Sequence, residues 1–238
     1  MGGWRQGLWR RAGPAVWASA RRLIHTMPLV ALAAVLAGGC SGYFPNNKAV
    51  YVLLDTSGTY ARQIHKSQTI INYLLSVLNP GDTLAVARID SSSFSESDII
   101  AAVTFDSRPS RSNAEKRVFH DVVDKFVRSV KGSAYTDISG ALLQAVTYLR
   151  STQARQRYIL IFSDMREELK AGETRDFDLR LDGIHVIALN VAKLNADSRH
   201  PQRYLRRLAE WKKRIETNGG TWQVLQDVGK LEEIFSLP

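Results

Sequence analysis

Cysteine is nearly absent from this chain: Cys40 is the only one among 238 residues. A single thiol cannot form a disulfide within the chain, and no second cysteine is available for nucleophilic or zinc chemistry. The sequence also contains no Gly-x-Ser-x-Gly turn and no phosphate-binding glycine loop. The histidines after Cys40 show no metal-ligand spacing among themselves. Because the common catalytic motifs are missing, we expect a protein that is not an enzyme.

Acidic residues are also missing from the N-terminal part, where Asp55 is the first. Five arginines precede an uninterrupted run of apolar and small residues at 27–39. Thirteen residues are too few to cross a bilayer as a helix, but they suit the core of a signal peptide behind a positive leader. We therefore predict a signal peptide over residues 1–39. Without those arginines the formal net charge falls from +9 to +4, so basicity does not indicate nucleic-acid binding.

The apolar run ends in Leu-Ala-Gly-Gly-Cys at residues 36–40, which resembles the lipobox of bacterial lipoproteins. The resemblance implies that Cys40 is lipidated and anchors the chain to a membrane, with residues 40–48 as the lipidated cysteine and a short tether. Ser41 after the cysteine implies a place on the outer membrane, facing the periplasm. The alternative interpretation is a short buried apolar segment whose cysteine is incidental.

Strand-like and helix-like stretches alternate after residue 48. Continuous apolar runs at 49–54 and 158–162 are typical of strands buried on both faces, and residues 184–190 are predicted as a third strand. The loop 91–97 is too short for a helical crossover, which predicts antiparallel strands at a sheet edge on its two sides. Helical spacing covers 60–78, 112–129, 138–149 and 202–217, and Asp137 is placed to cap the third of these. We predict one monomeric α/β domain over residues 49–238, with a Rossmann-like, doubly wound, mainly parallel sheet, one antiparallel edge strand and helices on both faces.

Hydroxyl and carboxylate residues follow the predicted strands. Asp55, Ser57 and Thr59 come directly after the first strand, Thr136 precedes a helix, and Asp164 follows the strand at 158–162 after one residue. The carboxyl ends of parallel strands form one ligand-binding edge of an open α/β sheet, so both carboxylates should lie there. Oxygen ligands of this kind suit Mg²⁺ or Mn²⁺ rather than zinc. The pattern predicts a divalent-cation site.

These five residues, in this order, resemble the metal-ion-dependent adhesion site of the von Willebrand factor A-type domain. Its pattern is Asp-x-Ser-x-Ser/Thr, then a distant Thr and a distant Asp, and the resemblance extends over residues 49–235. It implies that Ser57, Thr59 and Thr136 bind the cation directly or nearly so, with Asp55 and Asp164 acting through water. Hydroxyl ligands quench the cation's charge poorly, which implies a protein partner that offers an acidic side chain. The resulting expectation is a membrane-anchored, Mg²⁺-dependent protein-binding module of the cell envelope.

Two other functions remain open at this point. One is a metal-independent scaffold of the same fold. The other is a haloacid-dehalogenase-like phosphatase that uses Asp55, since residues 55–59 resemble Asp-x-Asp-Gly-Thr, although Ser57 replaces the acid that would transfer a proton.

Two further stretches have open interpretations. Glu167 and Glu168 could influence partner choice at the rim or lie in a solvated loop. The basic residues at 199–214 could meet anionic lipid head groups or form an ordinary solvated helix face.

Overall fold

The computed structural model describes residues 46–58, 64–91, 94–189, 201–226 and 228–235. The predicted signal peptide, Cys40 and Thr59 lie outside these residues, so those assignments stay predictions. Six strands form the sheet: β1 Lys48–Asp55, β2 Thr83–Ile89, β3 Ile99–Thr104, β4 Gln156–Phe162, β5 Ile184–Leu189 and β6 Thr221–Leu225. Five α-helices accompany them: α1 His65–Val77, α2 Pro109–Ser129, α3 Ile138–Ser151, α4 Pro201–Thr217 and α5 Leu231–Phe235. Short 3₁₀ turns occupy Glu96–Asp98 and Val228–Lys230.

The strand order is β3-β2-β1-β4-β5-β6. All neighbouring strands are parallel except β3, which pairs antiparallel with β2 at the edge of the sheet. This is the strand order of one common class of doubly wound α/β sheets. The predicted fold class and the antiparallel edge strand are both confirmed.

The central strand β1 explains why its sequence is apolar without alternation. Val50, Val52 and Leu54 pack into one core layer, whereas Tyr51 and Leu53 pack into the other. The first layer is covered by α1, α2 and α5, and the second by α3 and α4. Because each face of the sheet is covered by helices, every position of β1 after the first is buried.

Helix α2 buries a narrower apolar face than its sequence predicts. The helical spacing of its apolar residues predicts one face turned toward the core, made of Val118, Phe119, Val122, Val123, Phe126 and Val127. Phe119, Val123 and Val127 are buried at successive helical turns, but Val118 is 64% exposed and Val122 is 42% exposed. Each lies one residue, or about 100°, around the helix from a buried position. The sheet ends at β3 on that side, so no further strand covers them.

In the described part of the chain, no helix has the length and apolar character needed to cross a membrane.

Candidate metal site

Asp55 and Asp164 lie beside each other because β1 and β4 are parallel neighbours. Leu54 of β1 is in register with Phe162 of β4, and the strands end at Asp55 and Phe162 respectively. Both carboxylates therefore extend from the same edge of the sheet, as the sequence predicted. Both residues are also buried.

The carboxylate of Asp55 is held by neutral donors of two residues, Ser57 and Ser163. Its Oδ1 accepts a 2.8 Å hydrogen bond from the Ser57 N–H, and its Oδ2 accepts a 2.6 Å hydrogen bond from the Ser163 hydroxyl. Burial raises the pKa of Asp55, and the negative charge of Glu168 adds to this, while the hydrogen bonds from Ser163 and Ser57 oppose it. No cation among the described residues forms an ion pair with Asp55. A buried carboxylate without a positive partner is costly to ionise.

Asp164 carries a similar penalty. Burial raises its pKa to about 6, and the charge of Asp55 contributes to the rise. The main-chain N–H of Arg166 donates a 2.8 Å hydrogen bond to Asp164 Oδ1, which together with the charges of Arg207 and Arg166 opposes the shift. Two acidic groups thus compete for ionisation at one edge of the sheet, and a divalent cation between them would relieve that competition.

The turn around Asp164 has an unusual backbone that three side chains support. Met165 has a φ of 62°, in the left-handed region that non-glycine residues seldom adopt. Its N–H donates a 2.9 Å hydrogen bond to the Ser163 hydroxyl, and its carbonyl accepts a 2.9 Å hydrogen bond from the Trp211 indole. The carbonyl of Asp164 accepts a 3.0 Å hydrogen bond from Arg207 Nε. Helix α4 therefore fixes the main chain on which the Asp164 carboxylate is carried.

Thr136 is brought to the same edge through a short bridge. Its N–H donates to the Glu168 carbonyl at 2.8 Å, and the Glu168 N–H donates back to the Thr136 carbonyl at 2.9 Å. Thr136 is buried. The loop before α3 is thus joined to the segment that follows Asp164.

Asp137 holds the start of α3, as predicted, and has a second partner that the sequence did not indicate. Its Oδ1 accepts a 2.8 Å hydrogen bond from the Gly140 N–H, which caps the helix. The Arg175 guanidinium donates hydrogen bonds to both oxygens of the same carboxylate. Its Nε lies 3.1 Å from Oδ1 and its Nη2 lies 2.7 Å from Oδ2. Asp137 is buried and cannot turn toward a cation without losing these partners.

Ser57 follows Asp55 in a turn that is pinned to the loop before Thr136. The Ser133 N–H donates to the Thr56 carbonyl at 2.7 Å, and the Gly58 N–H donates to the Ser133 carbonyl at 3.2 Å. The approach is close at Gly132, where an added Cβ would lie 3.3 Å from the Gly58 Cα. These bonds fix the backbone that leads toward Thr59, whose own position lies outside the described residues.

Sequence reasoning missed the roles of Ser163 and Arg207. Ser163 precedes Asp164 directly, and its place at the end of a buried strand was the available signal. Arg207 gave no such signal, since it was one of many basic residues in α4. Within the described ranges, no group of three or more His, Cys, Asp or Glu side chains is arranged to hold a metal ion. A cation here would therefore depend on hydroxyl oxygens as well as the two carboxylates.

Comparisons with known proteins identify no family. No family model matches the sequence, and no curated protein matches it. Among solved structures, the chain is similar to the PilB minor pilin from Streptococcus sanguinis, with a TM-score of 0.48 and 12% identity over 80% of this chain and 60% of the pilin. It is also similar to a von Willebrand factor type A protein from Catenulispora acidiphila, with a TM-score of 0.46 and 14% identity over 80% of this chain and 41% of that one.

A third similar structure is proximal thread matrix protein 1 from the mussel byssus, which has a zinc-occupied MIDAS (metal-ion-dependent adhesion site) motif. Its TM-score is 0.41, with 15% identity over 80% of this chain and 44% of that protein. This chain spans less than two thirds of each of the three proteins. The doubly wound fold is accordingly assigned from the strand order of this chain rather than from these similarities.

Proposed function

We propose that this chain is a von Willebrand factor A-type domain that binds a protein partner through a divalent cation. The cation, Mg²⁺ or Mn²⁺, would be held by Asp55, Ser57, Thr59, Thr136 and Asp164. The observation that carries the proposal is the pair of buried carboxylates, Asp55 and Asp164, at the ends of adjacent parallel strands. Burial raises the pKa of both carboxyl groups, and the charge of Asp55 adds to the rise at Asp164; a nearby divalent cation would favour the ionised form of each.

The donor set explains why binding is favoured over catalysis. When bound, Mg²⁺ would supply a coordination position that a partner's carboxylate could take. The residues of this chain would orient the site: Ser163 and the Ser57 N–H fix the Asp55 carboxylate, and Arg207 with Trp211 fixes the main chain at Asp164 and Met165.

A phosphatase mechanism fits these contacts less well. A nucleophilic Asp55 would need a free, accessible carboxylate oxygen to attack phosphorus. Asp55 is instead 0% exposed, and each of its oxygens accepts a hydrogen bond. Ser57 cannot supply the proton transfer that an acid at its position would provide.

The cellular setting of the proposal comes from residues 36–41 of the sequence. We place the protein in the cell envelope, anchored to the outer membrane through lipidated Cys40 and facing the periplasm. Expression of the full chain and of Cys40→Ser in a Gram-negative host tests this directly. We expect the full chain in the outer-membrane fraction with a mass increased by lipid, and neither property in Cys40→Ser. Equal fractionation of the two proteins would contradict the anchor.

Mn²⁺ titration followed by electron paramagnetic resonance tests the metal site, because free Mn²⁺ gives a signal that bound Mn²⁺ loses. We expect one Mn²⁺ to bind per chain, competitively with Mg²⁺, and binding to be lost in Asp55→Ala. Asp121→Ala is the matched control, since Asp121 is exposed on α2. No binding by the unaltered chain would favour the metal-independent scaffold, and equal binding by both variants would place the cation elsewhere.

A further inference from the structure

An arginine-lined pocket opens beside Asp164, between α4 and the segment that follows β4. Its lining contains Arg166, Arg203, Arg206, Arg207 and Arg214, together with Glu167 and Glu210. Met165 and Trp211, both buried, contribute its apolar part. Cationic side chains thus outnumber acidic ones at a recess next to the candidate metal site.

Three of the five arginines already have partners. Arg207 Nε donates a hydrogen bond to the Asp164 carbonyl, and Arg214 Nη1 donates a 2.6 Å hydrogen bond to the Ser139 hydroxyl. Arg166 pairs with Glu168 at 2.6 Å. These contacts hold the wall of the pocket in place and leave the charge of the other two arginines for a ligand.

Arg203 and Arg206 are the uncommitted members of the set. Both are exposed, and neither side chain forms a hydrogen bond or an ion pair with any residue that the structure describes. They lie three positions apart on α4 and therefore project from neighbouring parts of the helix surface. Arg203 is also one turn from Arg207, which contacts Asp164. Positive charge without an acidic partner among the described residues therefore extends from the candidate metal site along α4.

The acidic side chains in the pocket do not neutralise this charge. Glu167 Oε1 accepts a 2.7 Å hydrogen bond from the Ser139 N–H, and its other oxygen lies 4.0 Å from Arg214. Glu167 is thus engaged at the α3 side, away from Arg203 and Arg206. The other acidic residue of the pocket, Glu210 on α4, is exposed, so two acidic side chains stand against five arginines.

We propose that this pocket binds the acidic side chains that flank the metal-binding carboxylate of the partner. The partner would then be recognised as an acidic segment, with one carboxylate at the cation and others at Arg203 and Arg206. This inference rests on the proposed function, because it supplies the chemistry of the partner for that same site. Electrostatic complementarity of this kind speeds association and discriminates against neutral or basic segments.

The set of residues that line the pocket favours a protein segment over a membrane surface. The basic residues Lys212 and Lys213 lie on the same helix but do not line the pocket. A lipid surface attracts exposed lysines and arginines alike, since its effect is mainly one of net charge. A flexible acidic segment would depend on the two arginines that the pocket presents.

Charge reversal on α4 separates these cases. The reference protein is the full chain with Cys40→Ser, so that no lipid is attached. The double variants R203E/R206E and K212E/K213E are made in the same background. Both double variants change the net charge equally on one helix. Fluorescence anisotropy would measure binding of a labelled peptide with four consecutive glutamates, in Mg²⁺ and in EDTA. A four-glutamine peptide serves as the ligand control.

We expect R203E/R206E to weaken binding of the glutamate peptide about 10-fold or more, and K212E/K213E to change it about 3-fold or less. Equal weakening by both variants would overturn the inference, because net charge alone would then explain the effect. Binding that EDTA abolishes and R203E/R206E leaves unchanged would support the metal site and overturn the pocket. Binding that persists in EDTA and is lost in R203E/R206E would support the pocket and contradict the metal site.

A membrane outcome is distinguished by vesicles of three parts phosphatidylcholine to one part phosphatidylglycerol, compared with pure phosphatidylcholine. If the glutamate peptide does not bind while the anionic vesicles bind through Arg203 and Arg206, a lipid surface is the ligand and the inference is wrong. Circular dichroism confirms that both double variants are folded before either comparison.

Discussion

Ser163 joins the ends of the two central strands, since its hydroxyl donates a 2.6 Å hydrogen bond to Asp55 Oδ2. The hydroxyl oxygen of Ser163 also accepts a 2.9 Å hydrogen bond from the Met165 N–H. One buried hydroxyl thus orients the first carboxylate and supports the turn that carries the second. The geometry of the site depends on this residue even though it is not among the predicted cation ligands.

Ser163→Ala should destabilise the protein by about 1–3 kcal/mol, because it leaves the Met165 N–H and a buried Asp55 oxygen without their partner. Urea unfolding measures the change. Ser151→Ala is the control, since the Ser151 hydroxyl bonds to the Tyr148 carbonyl on an exposed helix end; we expect an effect within about 0.5 kcal/mol there. Equal stabilities for the two variants would show that the Ser163 contacts are not important.

Asp164 should make the metal-free protein less stable as pH rises. Its pKa in the folded chain is raised from 3.8 to about 6 by burial and by the charge of Asp55. The folded state therefore binds this proton more tightly than the unfolded state. The resulting stability is fully present below about pH 4 and is lost as pH rises through about 6. A shift of this size corresponds to roughly 3 kcal/mol.

Asp164→Asn isolates this contribution from the other carboxylates. In EDTA, the variant should gain stability relative to the unaltered chain as pH increases from about 4 to about 7. Urea unfolding at several pH values measures the difference between the two proteins. A difference that does not change with pH would mean that Asp164 ionises in the folded protein as it does in the unfolded chain.

Arg175→Ala should destabilise the protein by about 2–4 kcal/mol, since it removes the cation that compensates buried Asp137. The loss should be smaller than for a fully buried pair because the Arg175 side chain is 20% exposed. Lys212→Ala is the control, as it breaks an exposed pair with Glu216 at 3.9 Å; we expect about 0.5 kcal/mol or less. Thermal unfolding monitored by circular dichroism compares the two, and equal losses would contradict a structural role for Arg175.

The sequence predicted the sheet well because burial on both faces leaves a clear pattern. The continuous apolar runs of β1 and β4 identified central strands, and the short loop before β3 identified the antiparallel edge. The positions of Asp55 and Asp164 followed from those strands, since parallel strands end at the same edge. The cap by Asp137 was also predictable, because it depends on the local sequence.

Contacts between distant segments were not predictable. Arg175 lies 38 positions after Asp137, in a segment without helical or strand periodicity. The exposure of Val118 and Val122 depends on where the sheet ends, which the pattern of α2 does not contain. The difference between Arg203 and Arg206 and their neighbours on α4 likewise depends on distant contacts, since Arg207 and Arg214 bind Asp164 and Ser139.

Thermal unfolding in EDTA and then in excess Mg²⁺ or Mn²⁺ tests the central claim most directly. Metal at about one hundred times its Kd should add about 2.7 kcal/mol, or about 5–10 °C in Tm for a domain of this size. We expect this rise in the unaltered chain and in Asp121→Ala, and its absence in Asp55→Ala. An equal rise in Asp55→Ala, or no rise in any of the three proteins at millimolar metal, would contradict a cation site built on Asp55 and Asp164.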